Sequence, residues 1–370
     1  MGTTTTTTRQ SCSWVAPGRA RGGAPRHRII RPVAALLLLL ACGDDDDGSR
    51  ATATADTAAP SSPGAGDSAR AASSGVPTRT EMRDVALGIM EGVTLHVTYL
   101  SGRALPLHEG VPVTLDDPTT YRLEIDTAAT RIGYDDLARL MNDHVFAYEG
   151  APLSDLVAER EHDEGEEVRL ELKGVLTSAA LAFEIEGVPA VTDEGLVRIE
   201  ARSIQAAEID VGGLMDLFGI ETEDLADMEE ALGIEVDGND LILDPARLLP
   251  PPRASGRVTH VALDPEGMVM HFGHAANGRA GTGTPERDRP EAPYLSYRGG
   301  TVKLGRMTMT DADLLILDAD GSDAFHFRPP EMNRQVAAGY VKVRLDGGLV
   351  IRAPDYASAD STDLRPAPGR

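Results

Sequence analysis

The chain alternates between apolar and polar residues in several short segments after residue 90. The first of them carries Val93, Leu95, Val97 and Tyr99 with polar residues between. Such alternation gives a strand one buried face and one face in water, which is typical of antiparallel sheets. The same pattern predicts strands around residues 93–99, 121–125, 168–172, 181–185, 197–201, 258–263 and 268–272.

Apolar residues at helical spacing interrupt these strands. One set follows Asp135, a predicted N-cap, and comprises Leu137, Leu140, Met141 and Val145. A second helix is predicted at 222–232, where apolar residues share one stripe and Gly233 follows. Residues 244–249 should form a helical turn with proline at its first position.

Composition divides the chain into two folded blocks. Residues 42–78 are rich in Asp, Ala, Thr, Ser, Gly and Pro, so they cannot bury enough apolar surface to fold and are predicted to be a disordered tether. Residues 274–293 form a Gly- and Pro-rich linker, and 357–370 repeat the composition of the tether as a disordered tail. The folded blocks are then 79–273 and 294–356, the second being smaller and rich in predicted strands.

The one long apolar run lies near the N-terminus and ends at Leu39-Leu40-Ala41-Cys42. It is shorter than the about 20 residues of a membrane span, and arginines precede it. The run resembles the lipobox of a bacterial lipoprotein signal peptide. This resemblance implies that 1–41 are removed on export, that Cys42 is lipidated, and that the acyl chains hold the protein at the membrane of the cell envelope, on the periplasmic side or at the outer membrane.

The charge of the chain excludes one class of partner. The net charge is -24. Cleavage before Cys42 would remove six arginines and no acid, leaving about -30, which disfavours nucleic acid. Cleavage would also discard Cys12, so the folded part would contain no disulfide.

The order of elements in the first block resembles that of the LmeA-like family of envelope proteins, which belong to the TULIP-like lipid-binding group. The residues that carry the likeness are the helix at 132–142, the strands at 169–174, 181–185 and 196–201, the helix at 225–232 and the strand pair at 256–261 and 267–272. The acidic segment 159–167 and the C-terminal block depart from it. The resemblance implies an α+β fold in which a curved antiparallel sheet packs on a long helix.

A lipid-binding groove between sheet and helix is the function that this resemblance implies. Its candidate lining residues are Leu137, Leu140, Met141, Val145, Leu181, Phe183, Ile185, Met268, Met270 and Phe272. The alternative for each of them is an ordinary core position.

Motifs for covalent chemistry are missing from the sequence. It contains no G-x-S-x-G, no H-E-x-x-H and no paired C-x-x-C. His260, His271 and His274 could bind a metal or be ordinary surface residues, and 318–323 could be an irregular calcium site or an acidic turn, because the EF-hand spacing fails.

We therefore expect a non-enzymatic envelope lipoprotein that binds a lipid or another apolar ligand, with no catalytic residue, metal or cofactor, and acts in lipid handling or envelope maintenance. One alternative is a structural or protein-interaction module with an envelope protein as partner. Another is a metal-dependent hydrolase in which His260, His271 and nearby acids converge.

Overall fold

The structure is a computed structural model that describes residues 76–162, 167–207, 209–210, 233–273 and 290–360. All of these residues belong to one compact unit. Most of them lie in strands, which form one sheet of 11 strands, one of seven and one of three. The predicted antiparallel sheet is confirmed in a fold that is mostly β with large antiparallel sheets, and the described helices are short, so none of them is the long helix of the α+β prediction.

The 11-stranded sheet, called the main sheet below, combines both predicted blocks. Its order is β13-β14-β4-β2-β1-β15-β18-β21-β20, and β12 and β19 are attached in parallel to β4 and β1. The strands are β1 (Thr78–Met90), β2 (Val93–Pro106), β4 (Tyr121–Ile132), β12 (Arg253–Ser255), β13 (Val258–Asp264), β14 (Gly267–Phe272), β15 (Tyr294–Arg298), β18 (Asp313–Asp318), β19 (Phe325–Phe327), β20 (Tyr340–Val343) and β21 (Leu349–Ala353).

β1 joins the two blocks. One edge of β1 pairs with β2 along most of its length, and the other pairs first with β15 and then with β19. The first register runs from Arg79 opposite Arg298 to Arg83 opposite Tyr294. Residues 79–273 and 294–356 therefore share one continuous sheet.

Two further sheets complete the fold. The second sheet has the order β10-β11-β8-β7-β6-β5, with β9 paired to β8, and the small sheet has the order β17-β16-β3. Their strands are β3 (Val113–Thr114), β5 (Leu153–Glu161), β6 (Arg169–Leu176), β7 (Leu181–Val191), β8 (Val197–Ala206), β9 (Ile209–Asp210), β10 (Ile234–Asp237), β11 (Asp240–Leu243), β16 (Thr301–Leu304) and β17 (Met307–Thr310).

The described helices are brief. α1 (Tyr134–Leu140) continues into a π-helical turn (Met141–Val145), α2 is Pro245–Leu248 and α3 is Met332–Ala338; 3₁₀ turns lie at Pro118–Thr120, Pro329–Glu331 and Tyr356–Ser358. The N-cap of α1 is Gly133, not Asp135 as predicted. Asp135 lies instead in the first turn, where its charge is favourable near the positive end of the helix dipole. The predicted helix at 222–232 lies outside the described residues.

Asn142 fixes the π-helical turn to the second sheet. β5 changes register between Ser154 and Val157, so the ladder with β6 skips Leu156. The Asn142 amide nitrogen donates to the Leu156 carbonyl (2.8 Å), and the Leu156 N–H donates to Asn142 Oδ1 (2.9 Å). The bulge takes Asp155 and Leu156 out of the ladder, and the Asn142 side chain satisfies both backbone groups of Leu156.

The buried residues that the structure describes form two apolar clusters. The larger one packs between the faces of the main sheet and its covering elements and includes the fully buried Leu295, Leu314 and Phe325. The smaller one lies between the end of α1, the π-helical turn and the second sheet, and it includes Phe183 and Ile185. Leu137 packs against both clusters.

Candidate apolar binding site

An apolar cavity lies on one face of the main sheet, where α2 and the proline-rich segment after it cross strands β1, β2, β4 and β14. Its floor is formed mainly by aliphatic side chains, among them Leu87, Ile89, Leu95 and Val97. Alternating residues of these strands point to the same face, which collects their side chains in one place. The cavity volume is about 60 Å³.

The described lining contains a single polar side chain, that of Thr130. The Thr130 hydroxyl donates to the Met270 carbonyl (3.4 Å), so it is already engaged within the sheet. The described lining has no acid, base or cation, so the surface that this cavity offers to an occupant is almost wholly apolar.

The cover of the cavity begins at α2. Asp244 caps this helix by accepting from the Ala246 N–H (2.9 Å), and Pro245 takes the first helical position, as predicted. Ala246, Leu249 and Pro250 line the cavity from above. A cover made of prolines and small apolar residues offers no side-chain hydrogen-bond partner to the space beneath it.

Gly256 brings the chain close to the strands at one side of the cavity. A Cβ at this position would lie 3.0 Å from Ile125 Cβ and 3.2 Å from Phe272 Cδ1. A larger residue would therefore crowd the lining.

Two of the ten predicted groove residues, Met270 and Phe272, line this cavity. The others are distributed over the two cores: Leu140 and Met268 in the larger one, Met141, Val145, Phe183 and Ile185 in the smaller one, with Leu137 and Leu181 packed at their margins. Whether any of the ten contacts a ligand stays a prediction.

Most of the lining was not singled out as a binding surface from the sequence. Leu95 and Val97 belong to the strand pattern that begins at Val93, but the pattern does not say what faces them. The contributions of Leu87 and Ile89 were missed altogether because β1 was not predicted as a strand. The sequence predicts the helical turn at 244–249 but does not indicate that this turn and the prolines after it cover a cavity.

A second cavity of about 400 Å³, with a mixed polar and apolar lining, lies on the opposite side of β1, between the end of that strand, β19 and the turn at Tyr356–Ser358. The Arg328 guanidinium stacks on the Tyr356 ring, 4.6 Å from its centroid. Asp355 Oδ1 accepts from the His326 N–H (2.8 Å), and burial raises the pKa of the Asp355 carboxyl. Charges of both signs therefore line this cavity.

The acidic segment 318–323 forms a turn after β18. Asp318 is buried and accepts from the backbone N–H groups of Asp320 (3.3 Å) and Gly321 (3.2 Å). Burial raises the pKa of Asp318 to about 6, and the nearby Asp320 and Asp355 carboxylates add to the shift. One carboxylate oxygen from each of Asp318, Asp320 and Asp323 lies within 4.8 Å of the other two, so the three could contact one ion. The hydrogen bonds within the turn nevertheless explain the position of Asp318 without an ion.

The hydrolase hypothesis required histidines and acids to converge. Among the described residues, the groups of three or more potential metal ligands contain acids only. His260 and His271 do lie side by side, whereas His274 lies outside the described residues. Cys42, the predicted lipidation site, also lies outside them.

Comparison with protein-family models, with curated proteins and with solved structures finds no match for this chain. Among the described helices, none combines the length and the apolar composition that crossing a membrane requires. The lipoprotein and LmeA-like resemblances therefore remain predictions from the sequence.

Proposed function

We propose that this protein is an exported envelope lipoprotein that binds the end of an acyl chain, or another small apolar group, in the cavity beneath α2. The observation that carries the proposal is the lining of that cavity, where Thr130 is the one polar side chain among the described residues. Its role would be lipid handling or envelope maintenance without covalent chemistry.

The size of the cavity limits what can enter it. About 60 Å³ exceeds the space that one water needs but falls below the roughly 300–1,000 Å³ of pockets for drug-sized ligands. The proposed occupant is thus a chain end of a few carbons. Each methylene that leaves water contributes about 0.8 kcal/mol, so four of them would give about 3 kcal/mol.

The proposal also includes the finer fold that the LmeA-like resemblance implies, in which a curved antiparallel sheet packs on a long helix. The helix predicted at 225–232, which lies outside the described residues, belongs to that finer form.

The cavity can be tested by filling it. The full chain carrying Cys42→Ser, which removes the predicted acylation site, would be titrated with a fluorescent fatty acid and inspected by native mass spectrometry for bound lipid. Ala246→Phe should weaken binding by about tenfold or more, since the loss of about 1.4 kcal/mol of apolar contact is tenfold in affinity. Ala182→Phe, at an exposed position of β7, is the matched control. No binding by the parent chain, or equal binding by both variants, would contradict the proposal.

The anchor is tested separately. Cells would be fed a labelled fatty acid and their membranes collected. We expect Cys42→Ser to abolish both labelling and membrane retention, and Cys12→Ser, within the predicted leader, to change neither. Equal labelling of the two variants would remove the anchor from the proposal.

A second candidate function, a protein-interaction module, is favoured by β20. This strand ends the main sheet, and all four of its residues are exposed, including Val341 and Val343. An exposed apolar edge strand can receive a further strand from a partner protein. A photo-crosslinker at Lys342 should then capture an envelope protein in intact cells, while one at the exposed turn residue Arg306 should not.

A further inference from the structure

Two histidines face each other at the outer edge of the main sheet. His260 on β13 and His271 on β14 are register partners, and β13 ends the order of strands on this side. Their ring centroids are 5.4 Å apart, with the ring planes at 75°. His260 is exposed and His271 is half-buried, so the pair is reached from solvent.

The distance between the two ring centroids is close to that of two imidazoles that bind the same metal ion. With metal–nitrogen distances of about 2.0–2.1 Å and a tetrahedral angle at the metal, the two ring centres lie roughly 5.2 Å apart. The observed distance between the ring centroids, 5.4 Å, is within about 0.2 Å of that value.

Backbone pairing holds in place the strands that carry the two rings. β14 pairs with β4 on its inner side, where the register partner of His271 is Ala129, a small residue that does not crowd the ring. The Thr259 hydroxyl donates to the His271 carbonyl across the hairpin (3.3 Å). Both ligands thus stand on paired strands, which reduces the entropy lost when a metal binds.

We propose that His260 and His271 chelate a divalent transition-metal ion, copper(II) or zinc(II), at this edge of the sheet. Imidazole nitrogens suit these ions, whereas magnesium and calcium prefer oxygen ligands. Water or a donor from another molecule would complete the coordination. The inference is independent of the proposed lipid function, because His260 and His271 do not line the apolar cavity.

Titration of the full chain with copper(II), zinc(II) and magnesium chloride tests the site, with calorimetry and thermal melting as readouts. We expect one equivalent of copper to bind more tightly than zinc and each of the two to raise the melting temperature, while magnesium does neither. His260→Ala and His271→Ala should each weaken copper binding by about tenfold or more, because one imidazole alone loses the advantage of chelation.

His108→Ala is the matched control, since His108 is an exposed histidine in the segment between β2 and β3. It should leave the affinity unchanged. Melting without metal identifies variants that do not fold, and His260→Gln, which keeps a polar side chain at the exposed position, then replaces the alanine variant. Wild-type copper affinity in folded His260 and His271 variants, or an equal loss in His108→Ala, would overturn the proposal.

Discussion

Gly102 lies where β2 changes register against β4, between Ser101 opposite Thr127 and Gly102 opposite Ile125. A Cβ on Gly102 would stand 2.3 Å from the Glu124 carbonyl oxygen and 3.2 Å from Ile125 Cα. Both atoms belong to the backbone of a paired strand and cannot move aside as a flexible side chain would.

We predict that Gly102→Ala lowers the free energy of unfolding by about 1–3 kcal/mol, the usual cost of overpacking. Urea denaturation followed by circular dichroism measures the change. Gly273→Ala is the control, because among the described residues, its chain neighbours aside, no atom lies within 4 Å of the added Cβ. Equal stability of the two variants would mean that the close approach at Gly102 does not constrain the sheet.

The buried Asp318 predicts how the stability of the folded protein depends on pH. Its pKa is about 6 in the folded protein, mainly because it is buried, against 3.8 in the unfolded chain. The folded state therefore holds its proton over a range in which the unfolded state has lost it, and stability falls as pH rises from about 4 to 6, by up to about 3 kcal/mol.

Asparagine cannot lose a proton, so Asp318→Asn should remove this fall. Urea denaturation at pH 4, 5, 6 and 7 measures it as the difference in unfolding free energy between wild type and variant. Asp323→Asn, an exposed position of the same turn, is the control. A difference that stays constant with pH would contradict the buried, protonated Asp318.

At the scale of elements, the clamp formed by Asn142 can be tested directly. Asn142→Ala leaves the Leu156 N–H and carbonyl without the amide that satisfies them, and we expect a loss of about 1–3 kcal/mol in unfolding free energy. Asp143→Ala, an exposed neighbour, should stay within about 0.5 kcal/mol of wild type in the same urea titration. If the two variants unfold alike, the clamp is not what fixes the turn to β5.

Strands with one solvent-exposed face could be predicted from the sequence, because apolar and polar residues alternate along them. Strands buried on both faces could not be predicted in this way. β2, β4, β7 and β8 follow the predicted alternation. β15 was missed because its first four residues are all buried, which leaves no alternation to detect. β1 was missed because Asp84, with a positive φ of 50°, interrupts its pattern and shifts the faces of the residues that follow.

At the scale of the whole molecule, the two predicted blocks should unfold together. β1 carries ladders to both of them, so neither can lose its strands without exposing an edge of the other. We predict one transition in urea, coincident by circular dichroism and tyrosine fluorescence.

Truncation sharpens this test. A chain that ends at residue 293 lacks β15 and β19 and should show no cooperative transition, whereas a chain that ends at Asp360 keeps every described strand and should unfold like the full protein. A stable, cooperative 1–293 chain would mean that the first block is a domain of its own.

The candidate site could not be predicted from the sequence, because its lining residues lie far apart along the chain. Leu87 and Leu249 line the same cavity, although more than a hundred residues separate them along the chain. Alternation indicates that Leu95 faces a core, but only the pairing of β1, β2, β4 and β14 determines that this face meets the proline-rich cover.

The position of β1 also determines how the molecule would bear a mechanical load. β1 begins at Thr78, where the predicted tether ends, and β2 and β15 flank its first residues on both sides. A pull along the tether would act parallel to β1, so hydrogen bonds of two ladders would share the force and break together in shear. A protein attached to a membrane through this strand would resist drag on its body without unravelling from its N-terminal end.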